Sequence, residues 1–163
     1  GITVHDRPVV DVALSRAEET EAPAAALELA DGRMITGKTT DLLGPCAALL
    51  LNALKELAGI PHSQPVISPA AIEPIQTLKT QYLGSKNPRL HMDEVLIALS
   101  VSAASDPNAQ KALEQLPNLK GCQAHTSVMV SDVDRKLFMK LSIQATFEAK
   151  YENNSVIFPK KGI

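Results

Sequence analysis

Near the start of the chain apolar residues recur at helical spacing. Val9, Val10, Ala13, Leu14 and Ala17 follow Pro8, which a first helical turn tolerates, and the pattern runs into the acidic Glu18–Glu21 stretch. Two short runs follow, Leu27–Leu29 and Met34–Thr36, joined by Asp31-Gly32, a dipeptide suited to the φ > 0 angles of a type I′ turn. A hairpin is therefore predicted over about 25–37. Between Pro45 and Ala58 only Asn52, Lys55 and Glu56 are strongly polar, and their spacing confines them to a narrow stripe. This helix, closed by Gly59 and Pro61, is expected to be largely buried. A proline-rich loop leads to a helix at about 70–83 whose regular part is expected to start at Pro74. The helix over Met92–Ala104 has Val95, Leu96, Ile97, Leu99 and Val101 spread around its axis, so it too should be largely buried.

Asp106-Pro107 fits the cap and first position of an amphipathic helix carrying Ala109, Ala112, Leu113 and Leu116. His125–Ser131 reads as a strand, 132–141 as a short helix, and Ile143–Lys150 as a half-buried strand by its alternation, which makes a βαβ-like unit. Asn153-Asn154 signals a turn, and Val156–Phe158 is expected to add an edge strand. With about six helices, two of them largely buried, and about five strands, the expected fold is α+β, a layered domain with a small mixed sheet over residues 1–151. Residues 152–163 form a tail with no assignment.

The stretch Gly32-Arg-Met-Ile-Thr-Gly37-Lys38-Thr39 matches the GxxxxGK[ST] phosphate-loop pattern letter for letter. Its context argues against that role. A phosphate loop joins a buried strand to a helix opened by the lysine and threonine, whereas here the loop interior is itself a predicted strand and the next helix begins near Pro45. No nucleotide binding is expected.

Composition narrows the classes further. The 163 residues carry a net charge of −2 and are 45% hydrophobic and 21% charged, which points away from disorder and from a nucleic-acid partner. The longest apolar run, Ala47–Leu51, is far short of the ~20 residues that span a bilayer, so no membrane partner is expected. Cys46 and Cys122 are isolated in apolar or helical contexts, as in reduced thiols of a cytoplasmic protein. The chain begins at Gly1 without a methionine and is expected to be cut from a longer protein.

Two polar clusters could carry chemistry. Ser85, Lys86, Asn87, Arg89, His91, Asp93 and Glu94 lie between two apolar helices. There Lys86 and Arg89 could clamp a small anionic ligand, His91 could move a proton near neutral pH, and Asp93 or Glu94 could orient it or cap the helix. The alternative is a solvated helix start. Lys38, Thr39, Thr40 and Asp41 form the second cluster, ahead of the Pro45 helix, where they could hold an anion or simply make a capping turn. His5, His62, His91 and His125 lack metal-site spacing, so no metal is expected and no cofactor is singled out. Neither cysteine has a histidine at telling spacing and there is no GxSxG elbow, so nucleophilic catalysis has no support in the sequence.

Thr36–Leu43, Leu83-Gly-Ser-Lys-Asn-Pro-Arg-Leu-His-Met-Asp-Glu-Val-Leu96 and Leu116–Cys122 together resemble the C-terminal region of a bacterial family known only as domain-of-unknown-function family 1846, or uncharacterised protein family 0371. The resemblance spans Ile2 to about Tyr151 and is most specific at 83–96. It implies a protein about three times longer, with a larger N-terminal α/β part, and brings no established reaction. Two functions stay open. The chain is either the C-terminal domain of an enzyme, lending its polar loops to a site completed by the N-terminal part or another subunit of a homo-oligomer, or a structural and oligomerisation domain.

Overall fold

In the computed structural model, which describes residues 7–150, Pro8 occupies the first turn of helix α1 (Pro8–Thr20), and Glu21 ends it in the left-handed region at φ 55°. Strands β1 (Ala24–Glu28) and β2 (Met34–Lys38) pair antiparallel from Ala24↔Lys38 to Glu28↔Met34. This is the expected hairpin with a different turn. Leu29 and Gly32 are joined by a 2.9 Å bond from the Gly32 N–H to the Leu29 carbonyl, and Gly32 alone in the turn has positive φ, at 92°. Asp31 keeps an ordinary backbone because its carboxylate accepts the Arg33 N–H at 3.0 Å and Arg33 Nε at 2.8 Å. The connection is thus a three-residue loop with a glycine bulge and not type I′.

Helix α2 (Pro45–Ala58) ends at Gly59, φ 72°. Helix α3 (Pro69–Thr77) starts at Pro69 and passes through Pro74 into a wider π-type turn, Leu78–Tyr82. The expectation that its regular part begins at Pro74 is therefore wrong. Pro74 lacks the N–H that would serve the Ala70 carbonyl, and both residues are exposed, so the missing bond falls at the surface and not in the core. Helix α4 (Met92–Ala103), helix α5 (Pro107–Leu113), strand β3 (Gln123–Thr126), helix α6 (Asp132–Lys140) and strand β4 (Gln144–Phe147) complete the described chain. Asp106 Oδ1 accepts the Asn108 N–H at 2.9 Å, the cap expected for α5. Strand β3 starts ahead of His125 and stops at Thr126, where the threonine hydroxyl donates to the Val128 carbonyl and bends the chain.

Among the described residues these elements make six helices and a four-stranded mixed sheet in the order β2-β1-β3-β4, an α+β fold. Strands β1 and β3 are antiparallel, whereas β3 and β4, linked through α6, are parallel. The suggested strand at Val156–Phe158 and the tail from Glu152 lie outside the described residues.

The sheet lies between unequal layers. Val9, Val10 and Ala13 of α1 cover Ala26 on one face. On the other, Ala25, Leu27 and Ala124 face the larger core built by α2, α4 and α5, in which Leu49, Leu50, Leu54 and Leu99 are almost fully buried. Helix α2 comes so close to β2 that a Cβ on Gly37 would sit 2.3 Å from the Leu49 nitrogen. The second glycine of the phosphate-loop pattern is therefore a packing residue inside a strand. Helix α4 is less enclosed than its apolar circumference suggests: Met92, Val95, Ala98 and Leu99 are buried, but Ile97 and Val101 are 60% and 70% exposed. Among the described residues no helix is long and apolar enough to cross a membrane.

Candidate functional site

The two polar clusters do meet. Leu43 and Leu90 form a parallel bridge, with the Leu90 N–H donating to the Leu42 carbonyl at 3.0 Å and the Gly44 N–H to the Leu90 carbonyl at 3.2 Å. Arg89 Nε then donates to the Thr40 carbonyl at 2.6 Å. Several of the polar side chains organise their own loops. Thr40 Oγ1 accepts the N–H groups of Leu42 and Leu43, Ser85 Oγ accepts that of Asn87, and Asn87 Oδ1 accepts that of Arg89. Asp41 and Lys86 are exposed, and Gln76 Nε2 donates to the Asp41 carbonyl. Thr39 donates through both N–H and hydroxyl to the Pro23 carbonyl. Lys38 pairs with Ala24 in the sheet, and because Gly37 faces α2, strand alternation turns Lys38 toward the α1 face, apart from Thr40 and Asp41.

At the start of α4, Glu94 Oε1 accepts the His91 N–H at 2.8 Å and lies 3.3 Å from His91 Nδ1. Lys79, buried in the π-type turn, donates to the same oxygen at 2.9 Å and to the Arg89 carbonyl at 2.5 Å. Burial by itself would raise the Glu94 carboxyl, but the His91 N–H and the Lys79 hydrogen bond and charge hold it below the usual range. Asp93 Oδ1 accepts the Glu94 N–H, and Asp134 of α6 accepts the Met92 N–H at 2.8 Å. Burial pushes Asp134 above the ordinary aspartate value, with the Met92 N–H opposing it. Three carboxylates thus face the positive end of α4, flanked by His91 and Lys79.

A further polar constellation was not legible in the sequence. The parallel register sets Gln123 beside Gln144 and His125 beside Thr146. His125, 1% exposed, has Nδ1 2.6 Å from Thr146 Oγ1 and Nε2 2.6 Å from Glu148 Oε2. Arg7, just ahead of α1, reaches Thr146 Oγ1 at 2.5 Å, Gln123 Oε1 at 2.7 Å, and the carbonyls of Ala124 and Gln144. Burial lowers its guanidinium from the ordinary arginine value. Beside these groups the sheet carries an open hollow of about 530 Å³, lined by Arg7, Glu28, Gln144 and Thr146 among others. The alternation Gln144, Thr146, Glu148 was the available signal, and by itself it reads as a solvent face. Among the described residues no group of three or more histidine, cysteine or acidic side chains is placed to hold a metal ion.

Comparison with known proteins places the chain in a family. Residues 5–157 match the family described as domain of unknown function DUF1846, C-terminal. The chain is 58% identical over 156 residues to a UPF0371 protein of Corynebacterium efficiens, covering 96% of this chain and 32% of that protein. It is 56% identical over 156 residues to a UPF0371 protein of Corynebacterium glutamicum, again covering 96% and 32%. A UPF0371 protein of Streptococcus pneumoniae is 48% identical over 152 residues, covering 93% and 31%. The chain spans about a third of the length of these curated relatives.

Proposed function

Because the chain belongs to the DUF1846 C-terminal family, whose relatives are about three times its length, we propose that it is the C-terminal domain of an enzyme and supplies one wall of a site completed elsewhere in the protein or by a second subunit. The observation that carries this reading is the junction of the two polar segments, held by Arg89 on the Thr40 carbonyl and by the Leu43–Leu90 bridge. Lys86 and Arg89 offer cations to a small anionic ligand, and His91, held against Glu94, is the group suited to moving a proton. Native mass spectrometry of the intact protein should show a small anion that the Lys86→Ala, Arg89→Ala double variant no longer retains. Retention of the anion by that variant would sink the reading.

A second reading, assembly without chemistry, rests on exposed apolar side chains that precede and follow this loop in the chain. Tyr82 and Leu83, immediately before it, are 77% and 71% exposed, and Ile97 and Val101 follow on α4. Sedimentation of the intact protein decides its share: a monomer that stays monomeric at high concentration would dismiss homo-oligomerisation.

A further inference from the structure

The hydrogen-bonded chain on the sheet face is separate from the joined loops and carries its own chemistry. Arginine has no acceptor, so Thr146 Oγ1 must accept from Arg7 Nη1, which leaves the hydroxyl proton available to His125 Nδ1. A glutamate oxygen accepts, so Glu148 Oε2 holds the ring proton of His125 on Nε2 and leaves Nδ1 as the basic nitrogen. The ring is enclosed at 1% exposure and tied at both nitrogens, so its orientation is set before any ligand arrives. At the other end the chain is open, because Thr146 lines the hollow of about 530 Å³.

We infer that Thr146 is a nucleophile, with His125 as its general base and Glu148 as the positioning residue, acting on a carboxylic ester or a comparably activated acyl group. Thr146 Oγ1 bonds to the acyl carbon as its proton passes to His125 Nδ1. The bond to the leaving alcohol breaks, and that alcohol departs with the proton. Water then attacks the acyl-threonine, gives a proton to His125 and releases the carboxylic acid, and the proton returns to Thr146 Oγ1. Arg7, held in place by Gln123 Oε1 and the Ala124 and Gln144 carbonyls, keeps its positive charge on Thr146 Oγ1 and so favours the negative charge that this oxygen gains as its proton leaves. A histidine with a purely structural role would make the same bonds without making Thr146 reactive.

The probe is 4-nitrophenyl acetate, offered to the intact protein, with nitrophenolate release followed by absorbance and the acetylated position mapped by peptide mass spectrometry. The expected result is an acetyl group on Thr146 that Thr146→Ser retains and Thr146→Val loses. Glu148→Gln should slow release by about a hundredfold with the melting temperature nearly unchanged, since the amide can turn the ring proton onto Nδ1. Acetylation confined to lysines, or an unmodified position 146 in the parent protein, overturns the inference. If Thr146→Val does not fold, the map of the parent and the Glu148→Gln rate decide the matter.

Discussion

Gly37 shows how one residue can satisfy a motif while obeying a different constraint. With α2 backbone 2.3 Å from where its Cβ would stand, Gly37→Ala should force strand and helix apart and destabilise the protein by at least ~1–3 kcal/mol in urea unfolding. Lys38→Ala, the change that would disable a phosphate loop, should cost less than ~0.5 kcal/mol and alter no nucleotide affinity. Asp134 makes a second prediction at this scale. Because burial raises its folded pKa, it contributes stability that is present below its ordinary value of 3.8 and is lost as pH rises through the raised value. Asp134→Asn keeps an acceptor for the Met92 N–H and removes that titration. Its melting temperature should therefore gain on the parent's as pH is raised from about 4 toward neutrality. Glu94 has the opposite sign: its stability is present above the ordinary glutamate value of 4.5 and is lost as pH falls toward the lowered one. A gap between the parent and Asp134→Asn that stays constant with pH would refute the account of Asp134.

At the scale of elements, helices and core were legible where a local signal coincided with a buried face. Pro8, Pro45 and Asp106-Pro107 mark helix starts because a proline suits a first turn wherever it falls, and the α2 stripe of Asn52, Lys55 and Glu56 correctly implied cover on the remaining sides. Leu50→Ala should accordingly cost ~2–5 kcal/mol. The same reasoning failed for α4, since apolar composition records that a surface is to be covered and not which part of the chain or which partner covers it. Ile97→Ala and Val101→Ala should each change the stability of this domain by less than ~0.5 kcal/mol, as judged by urea midpoints. The polar loops were recognisable as sequence neighbourhoods, and their junction rests on backbone bonds between residues far apart that periodicity does not report. His125, Thr146 and Glu148 were illegible for a related reason: their proximity is a property of strand register, fixed only when β3 and β4 pair.

For the whole molecule, the exposed Ile97 and Val101 and the shortness of the chain relative to its relatives lead to one expectation. Ile97→Glu with Val101→Glu should leave the melting temperature of this domain nearly unaltered while making the intact protein more susceptible to proteolysis, the sign of a face left uncovered. Equal resistance in variant and parent would mean that nothing in the intact protein rests there. The order of the strands has a consequence of another kind. Strand β1 lies inside the sheet, yet β3, its second neighbour, is synthesised long after it: the Ala24 N–H waits for the hydroxyl of Ser127, 103 residues downstream. At ribosomal rates that interval is roughly 5–20 s, during which the apolar Ala24-Ala25-Ala26-Leu27 edge has the β2 hairpin on one side and no strand on the other. The sheet is thus half finished for most of the time it takes to make this domain, and β1 is the edge at which one nascent chain would first adhere to another.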